Sequence, residues 1–261
     1  MHSPFPQDPA PGQAGFPSAA WYQAIPARRS RRQFNGQPLE QNLLQRLTAV
    51  CSGFRPHGEA RVVLVTQPPD QVLTGLVGSY GRIKGAPAYA AVVGDAESPH
   101  VWERGGYTGQ GLVLEATALG LATCWVGGFF RPRLAARLLG LEKSEQVLAV
   151  IPLGHPGRET WEEKAMTGFG RTHLRKPLSH LVEGGVRASW APWVKAALEA
   201  ARLAPSAVNR QPWRFAVDPE GVTVSVSGPR DTYGIPRRLD CGIAMLHLEL
   251  AALSHGVHGS W

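Results

Sequence analysis

The sequence predicts an α+β fold: a mixed sheet flanked by helices, a central pair of long buried helices, and a chain divided into two related halves. Three observations carry that prediction. The run Tyr107–Leu119 is apolar nearly all round, as a helix buried on every side is, and Leu239–Ser254 is its counterpart late in the chain. Arg61–Thr66, Tyr89–Val93 and Val147–Leu153 are short apolar strand candidates. The chain also repeats itself: Leu43–Val63 lies without gaps on Lys195–Phe215, and Gly106–Trp125 on Gly242–Trp261.

Met1–Ser18 is rich in Pro, Gly and Gln and lacks an apolar signal core. Residues 1–20 are therefore expected to form a disordered tail and the protein to stay in the cytoplasm, with residues 21–185 making a first half and 186–261 a shortened second half. After the basic segment Arg28–Arg32, a helix is expected with Pro38 in its first turn and Leu39, Leu43, Leu47 and Val50 on its apolar face. A short helix is expected over Asp70–Tyr80, and another over Pro132–Leu139. Gly120 and Gly256 stand where C-terminal caps of the two long helices belong. Gly154–Gly185 is polar and irregular. A helix over Trp190–Arg202 should stop at Ala204, because Pro205 disfavours helical geometry there, and Trp213–Phe215 and Val222–Ser227 read as strands.

At 261 residues, 43% hydrophobic and 18% charged, the chain can bury a substantial core. No apolar run approaches the roughly 20 residues of a membrane span. The formal charge of +7 is dispersed apart from Arg28, Arg29, Arg31 and Arg32, with no long basic stripe for nucleic acid. A phosphate-bearing small molecule is the more economical partner. Cys51, Cys124 and Cys241 are odd in number and far apart, which fits reduced core thiols rather than a zinc site or disulfide frame. There is no dinucleotide fingerprint, no phosphate loop, no His-Glu-x-x-His and no Gly-x-Ser-x-Gly elbow. His247, on an apolar helix, reads as a core or interface residue.

Two stretches carry chemistry. Arg28, Arg29, Ser30 and Arg32 place guanidinium forks and a hydroxyl within five residues, as a dianionic phosphate requires. Such clusters are more often solvated charge runs, but the serine within and the apolar Ile25 and Phe34 at the flanks point to a held, partly buried segment. Leu203–Phe215 holds a short loop fixed at both ends by Pro205 and Pro212 and carrying Ser206, Asn209 and Gln211; it suits a planar heterocycle whose edge alternates donors and acceptors, and equally a polar turn. Val126, Gly127 and Gly128 offer backbone that a flat ring can approach. Arg82 and Lys84 could set positive charge beside an electron-rich ring or belong to an exposed turn. Each half of the repeat lacks what the other has: opposite Ser206, Asn209 and Gln211 the first copy carries Phe54, His57 and Glu59. One site split across both halves is the inference.

Arg-Arg-Ser-Arg-Arg-Gln-Phe, Pro-Ser-Ala-Val-Asn-Arg-Gln-Pro-Trp-Arg-Phe and Gly-Leu-Ala-Thr-Cys-Trp-Val-Gly-Gly-Phe resemble the three signatures of the nitroreductase superfamily of FMN enzymes. Their order resembles the subgroup in which one chain carries two fused halves and imitates the usual dimer. The resemblance implies a mostly antiparallel sheet and one FMN site in a single chain that need not dimerise. It implies that Arg28, Arg29, Ser30 and Arg32 bind the phosphate and ribityl chain with help from Arg175 or Arg171. Pro205, Ser206, Asn209 and Gln211 would line the flavin from the other half, Val126, Gly127 and Gly128 would lie against its ring, and Arg82 or Lys84 would face its pyrimidine end. It further implies hydride transfer from NAD(P)H to nitroaromatic or quinone-type acceptors, with no catalytic acid or base named because the flavin makes and breaks the bonds. Two departures are Ala207, where many members have a second serine, and Gly127, where some have glutamate. The alternatives are a flavin-dependent oxidase or dehydrogenase of an organic substrate, and a flavin- or ligand-binding protein without turnover.

Overall fold

The computed structural model describes residues 16–74, 82–158, 174–228 and 230–261. Its helices are α1 (Ser18–Ala24), α2 (Gln41–Gly53), α3 (Val101–Ala118), α4 (Pro132–Leu138), α5 (Pro192–Arg202) and α6 (Arg237–Ser254). Its strands are β1 (Ala60–Val65), β2 (Ala88–Asp95), β3 (Ala122–Thr123), β4 (Glu145–Gly154), β5 (Trp213–Val217) and β6 (Val222–Val226). The first four make an antiparallel sheet in the order β1-β2-β4-β3, and β5 and β6 form a separate antiparallel pair. Parallel pairing enters through isolated bridges, Ser30 to Thr123 and Val182 to Phe215. The sheet is thus mixed but mostly antiparallel, as expected.

The sheet centre is covered on both faces, which is why β2 and β4 read as unbroken apolar runs. One face packs Val62, Ala90, Val92, Leu148 and Ile151 against Leu112, Val113 and Ala116 of α3. The other packs Tyr89, Ala91, Val93 and Val150 against Phe34, Ile83 and Ala135. A third cluster surrounds α6 with α1, α5 and the β5–β6 pair, through Trp21, Leu198, Trp213, Phe215 and Leu246.

The two long helices meet backbone to backbone. A Cβ on Gly106 would run into the carbonyl oxygen of Leu239, and one on Gly242 into that of Glu103. The sequence offset that carries Gly106 to Gly242 also carries Glu103 to Leu239, so the two contacts are reciprocal, as across a two-fold axis. The same offset carries α3 onto α6 end for end. It also pairs Gly120 (φ +75°) with Gly256 (φ +72°). Each ends its helix in the same way: Leu121 N–H donates to Ala116 O and Val257 N–H to Ala252 O, both at residues one past a left-handed glycine.

Several local expectations change. Helix α1 takes in Ser18–Ala20, assigned above to the tail, because Trp21 is fully buried and Phe16 packs on Trp21 and Phe54; residues 1–15 lie outside the described residues. Helix α2 starts at Gln41, not with Pro38 in its first turn; the chain is still extended at Glu40 (ψ 148°). Helix over Asp70–Tyr80 is replaced at its start by one tight turn, Pro69–Gln71, after which Leu73 pairs with Phe130; residues 75–81 lie outside the described residues. Helix α3 begins earlier than Tyr107, at Val101.

Candidate functional site

The arginine segment is placed by a β-bridge. Ser30 lies parallel to Thr123, with Arg31 N–H donating to Thr123 O at 2.9 Å, so residues 28–32 run beside β3 and the Val126–Gly128 turn that follows it. The late loop reaches the same place from the other side. Asp240, in the first turn of α6, accepts the Ala207 N–H at 3.0 Å and Arg210 Nε at 2.6 Å; Arg210 also donates to Ile235 O at 2.9 Å. Between them lies a cleft of about 560 Å³, a size that suits a small organic ligand.

Arg28, Arg29, Ser30, Arg32, Val126, Gly127, Gly128, Arg175, Pro205, Ser206 and Asn209 all line this cleft. Gln211 is a step behind it, buried, its amide donating to Leu174 O and Asn209 Oδ1 and accepting the Lys176 N–H. It acts as a buttress for Asn209. Arg82 and Lys84 are exposed and do not line the cleft; Lys84 instead bridges to Gln33 through its backbone. Arg171 lies outside the described residues.

The cleft's positive end is crowded. Arg28 is 6% exposed, and burial, with the charges of Arg175 and Arg29 beside it, brings its guanidinium down to about 10. Its Nη1 reaches Ser30 Oγ at 3.5 Å, while its Nε is buried without a partner among the described residues. Arg175 donates to Asn209 Oδ1 at 3.0 Å, so the charged segment and the amide loop are tied together directly. Asp240 is the acidic group in the lining. Burial pushes its carboxyl up to about 6, although Arg210 and the Ala207 N–H pull it down.

Backbone strain gathers here. Among the described residues, the non-glycine residues at positive φ are Phe129, Val208, Asn209, Gln211 and Tyr233; four of these line the cleft, and Gln211 supports it. Such conformations cost roughly 1–3 kcal/mol each and persist where surrounding structure holds them. Val208, β-branched at φ 47°, is the most demanding.

Sequence reasoning missed Trp125, Phe129, Tyr233, Ile235 and Asp240 as cleft residues. Trp125 carried a signal in Gly109, whose missing side chain leaves room for the indole. The indole N–H donates to Gln110 Oε1 at 3.0 Å, Gln110 Nε2 meets His247 Nε2 at 2.8 Å, and His247 Nδ1 meets Ala200 O at 2.9 Å. The carbonyl can only accept, so His247 carries its proton on Nδ1 and is neutral; burial holds it down to about 3. The reason for Gly127 and Gly128 also differs from a ring's approach: the direction a Cβ would take is filled by Ile235, at 2.9 and 3.1 Å.

Among the described residues no helix is long and apolar enough to cross a membrane, and no cluster of His, Cys, Asp and Glu could hold a metal.

Across its length the chain resembles a "putative nitroreductase" from Thermotoga maritima, with 21% identity, a TM-score of 0.60, and 95% of this chain and 90% of that one covered. A Desulfitobacterium hafniense nitroreductase with bound FMN aligns over 54% of this chain and 91% of its own, at 20% identity and a TM-score of 0.44. An FMN-dependent nitroreductase from Clostridium difficile aligns over 52% of this chain and 88% of its own, at 19% identity and a TM-score of 0.43. No curated protein matches the chain. A family model described as "Putative TM nitroreductase" matches residues 20–252, a span holding the arginine segment, both long helices and the amide loop, and the chain belongs to the nitroreductase family.

Proposed function

We propose that the cleft binds one FMN and that the protein is an FMN-dependent oxidoreductase passing hydride from NAD(P)H to nitroaromatic or quinone-type acceptors. Family membership supports an oxidoreductase; the cleft supports the cofactor. The observation that carries the reading is Arg28. A guanidinium buried against two others, with Nε left without a partner among the described residues, lacks the anion that would offset its burial. A flavin's terminal phosphate is such an anion. FMN would supply the two-electron hydride chemistry when bound, and the protein supplies binding, orientation and electrostatics.

In this reading Arg28, Arg29, Ser30 and Arg32 hold the phosphate and the start of the ribityl chain, with Arg175 alongside. Pro205, Ser206 and Asn209 face the heterocycle across the cleft, with Gln211 keeping the Asn209 amide in place. Val126, Gly127 and Gly128 form the facing wall, pressed into position by Ile235. Arg82 and Lys84 receive no role. The reciprocal Gly106 and Gly242 contacts support the view that the two halves, residues 21–185 and 186–261, imitate a dimer within one chain, each giving one wall of the site. Cys51, Cys124 and Cys241 form no disulfide, which fits a reducing cytoplasm.

The test is the absorbance of the purified protein, followed by anaerobic addition of NADPH or NADH. The expected protein shows flavin bands that bleach with a nicotinamide donor and return with a nitroaromatic or quinone. Protein that neither carries nor retains added FMN would refute the reading. Protein that holds FMN but is inert to both donors would favour an oxidase or a non-catalytic flavin binder.

A further inference from the structure

In the cleft lining Phe129 and Tyr233 stand with ring centroids 5.3 Å apart and planes tilted by 56°. They come from segments far apart in the chain: Phe129 follows the Gly127–Gly128 turn, and Tyr233 lies in the turn Thr232–Ile235, which packs on those glycines. Tyr233 is 58% exposed, so its ring is not there to fill the core.

Nor is it there for the turn. Tyr233 (φ 55°) and Gly234 (φ 68°) are both left-handed, and Ile235 N–H closes the turn on Thr232 O at 3.0 Å. That is a two-residue turn of the primed kind, whose first central position favours Asn, Asp or Gly. Phe129, at φ 57°, stands equally against local preference. Two aromatic residues thus occupy strained positions that smaller residues would fill more easily, and both open onto one cleft.

We propose that Phe129 and Tyr233 form an aromatic mouth that receives a planar, uncharged ring, either the acceptor's or the donor's nicotinamide. The inference rests on the flavin reading, since it assigns the part of the cleft beyond the phosphate-holding segment. An aromatic contact of this kind changes affinity by about 3- to 10-fold.

The deciding variant is Tyr233→Asn, which suits the turn better and removes the ring; Tyr233→Phe is its control. Binding of 4-nitrobenzamide to the oxidised protein is measured by calorimetry without donor. The NADPH and acceptor half-reactions are then followed separately by anaerobic stopped flow, with ferricyanide as an acceptor that has no ring to stack. The expected Tyr233→Asn protein melts no lower than wild type and binds 4-nitrobenzamide several-fold more weakly, and Tyr233→Phe restores binding. Its loss toward the nitroaromatic exceeds its loss toward ferricyanide if the ring is the acceptor's. Its loss falls on the NADPH step if the ring is the nicotinamide. Unchanged 4-nitrobenzamide binding, or equal losses with both acceptors and none in the NADPH step, would overturn the proposal. The flavin content of each protein is read from its spectrum, so a failure of the flavin reading shows itself separately.

Discussion

Four glycines of the helix pair that positions the cleft, with Gly53 of α2 as a reference, give a graded test. Gly106 and Gly242 lie where α3 and α6 touch, and in each a Cβ would meet a backbone carbonyl of the other helix, which cannot rotate away. Alanine there must push the helices apart, and overpacking of this sort costs about 1–3 kcal/mol or more. We expect at least ~2 kcal/mol from either change. Gly120 and Gly256 have open space around them but φ of +75° and +72°, so alanine pays only for a left-handed backbone, about 1 kcal/mol. Gly53, at the end of α2 with nothing within 4 Å and no positive φ, should gain roughly 0.5 kcal/mol or more as alanine. For a chain of this size 1 kcal/mol moves Tm by about 2–4 °C. Thermal melts should therefore rank Gly53→Ala above wild type, then Gly120→Ala and Gly256→Ala, then Gly106→Ala and Gly242→Ala well below. Gly106→Ala melting no lower than Gly120→Ala would refute the close approach of the two helices.

Two buried groups give opposed pH slopes. His247 is held down to about 3 in the fold, below its usual 6.5, so its contribution is present above about pH 6.5 and lost as pH falls toward 3, at about 1.4 kcal/mol per unit. Asp240 is pushed up to about 6, above its usual 3.8, so its contribution is full below about pH 4 and lost as pH rises through 6. Removing the histidine in His247→Gln should make the loss of stability between pH 6 and 4 shallower than in wild type; Asp240→Asn should make it steeper over the same window. Denaturation at several pH values checks both signs, and flat, superimposable curves would contradict them. The His247 ring resonances should also show no titration above pH 4. For the cleft mouth, Tyr233→Asn should weaken ring binding without lowering Tm.

Much of this molecule is legible in its sequence where a local pattern and the tertiary structure agree. Strands β2 and β4 are apolar over Tyr89–Val93 and Val147–Leu153 because both faces are covered there, and Gly120 and Gly256 mark helix ends because those ends need a left-handed residue. Helix α1 escapes notice because its seven residues are too few for periodicity and sit beside a Pro-rich tail; only the pair Trp21-Tyr22 hints that the segment is held. Pro38 misplaces the start of α2 because proline suits the extended approach as well as a first turn. In the site, the arginine segment and the Pro205–Gln211 loop are readable because each concentrates its chemistry in a few consecutive residues. Asp240, Trp125 and Tyr233 reach the cleft only through packing: one anchors the loop from α6, one is held by Gln110, and one rides on a strained turn. The glycines of the Gly127–Gly128 turn are correctly placed at the cleft, but their small size answers to Ile235.

In the proposed function the buried arginine segment and the amide loop close around one phosphate-bearing flavin. Titration of flavin-free protein with FMN and with riboflavin, in wild type and in Arg28→Ala, measures that directly. Each charged hydrogen bond to the phosphate contributes roughly 1.5–3 kcal/mol, so FMN should bind at least about 100-fold tighter than riboflavin, and Arg28→Ala should remove ten-fold or more of that advantage. Equal affinity for the two flavins, or an advantage that survives the loss of Arg28 intact, would contradict it.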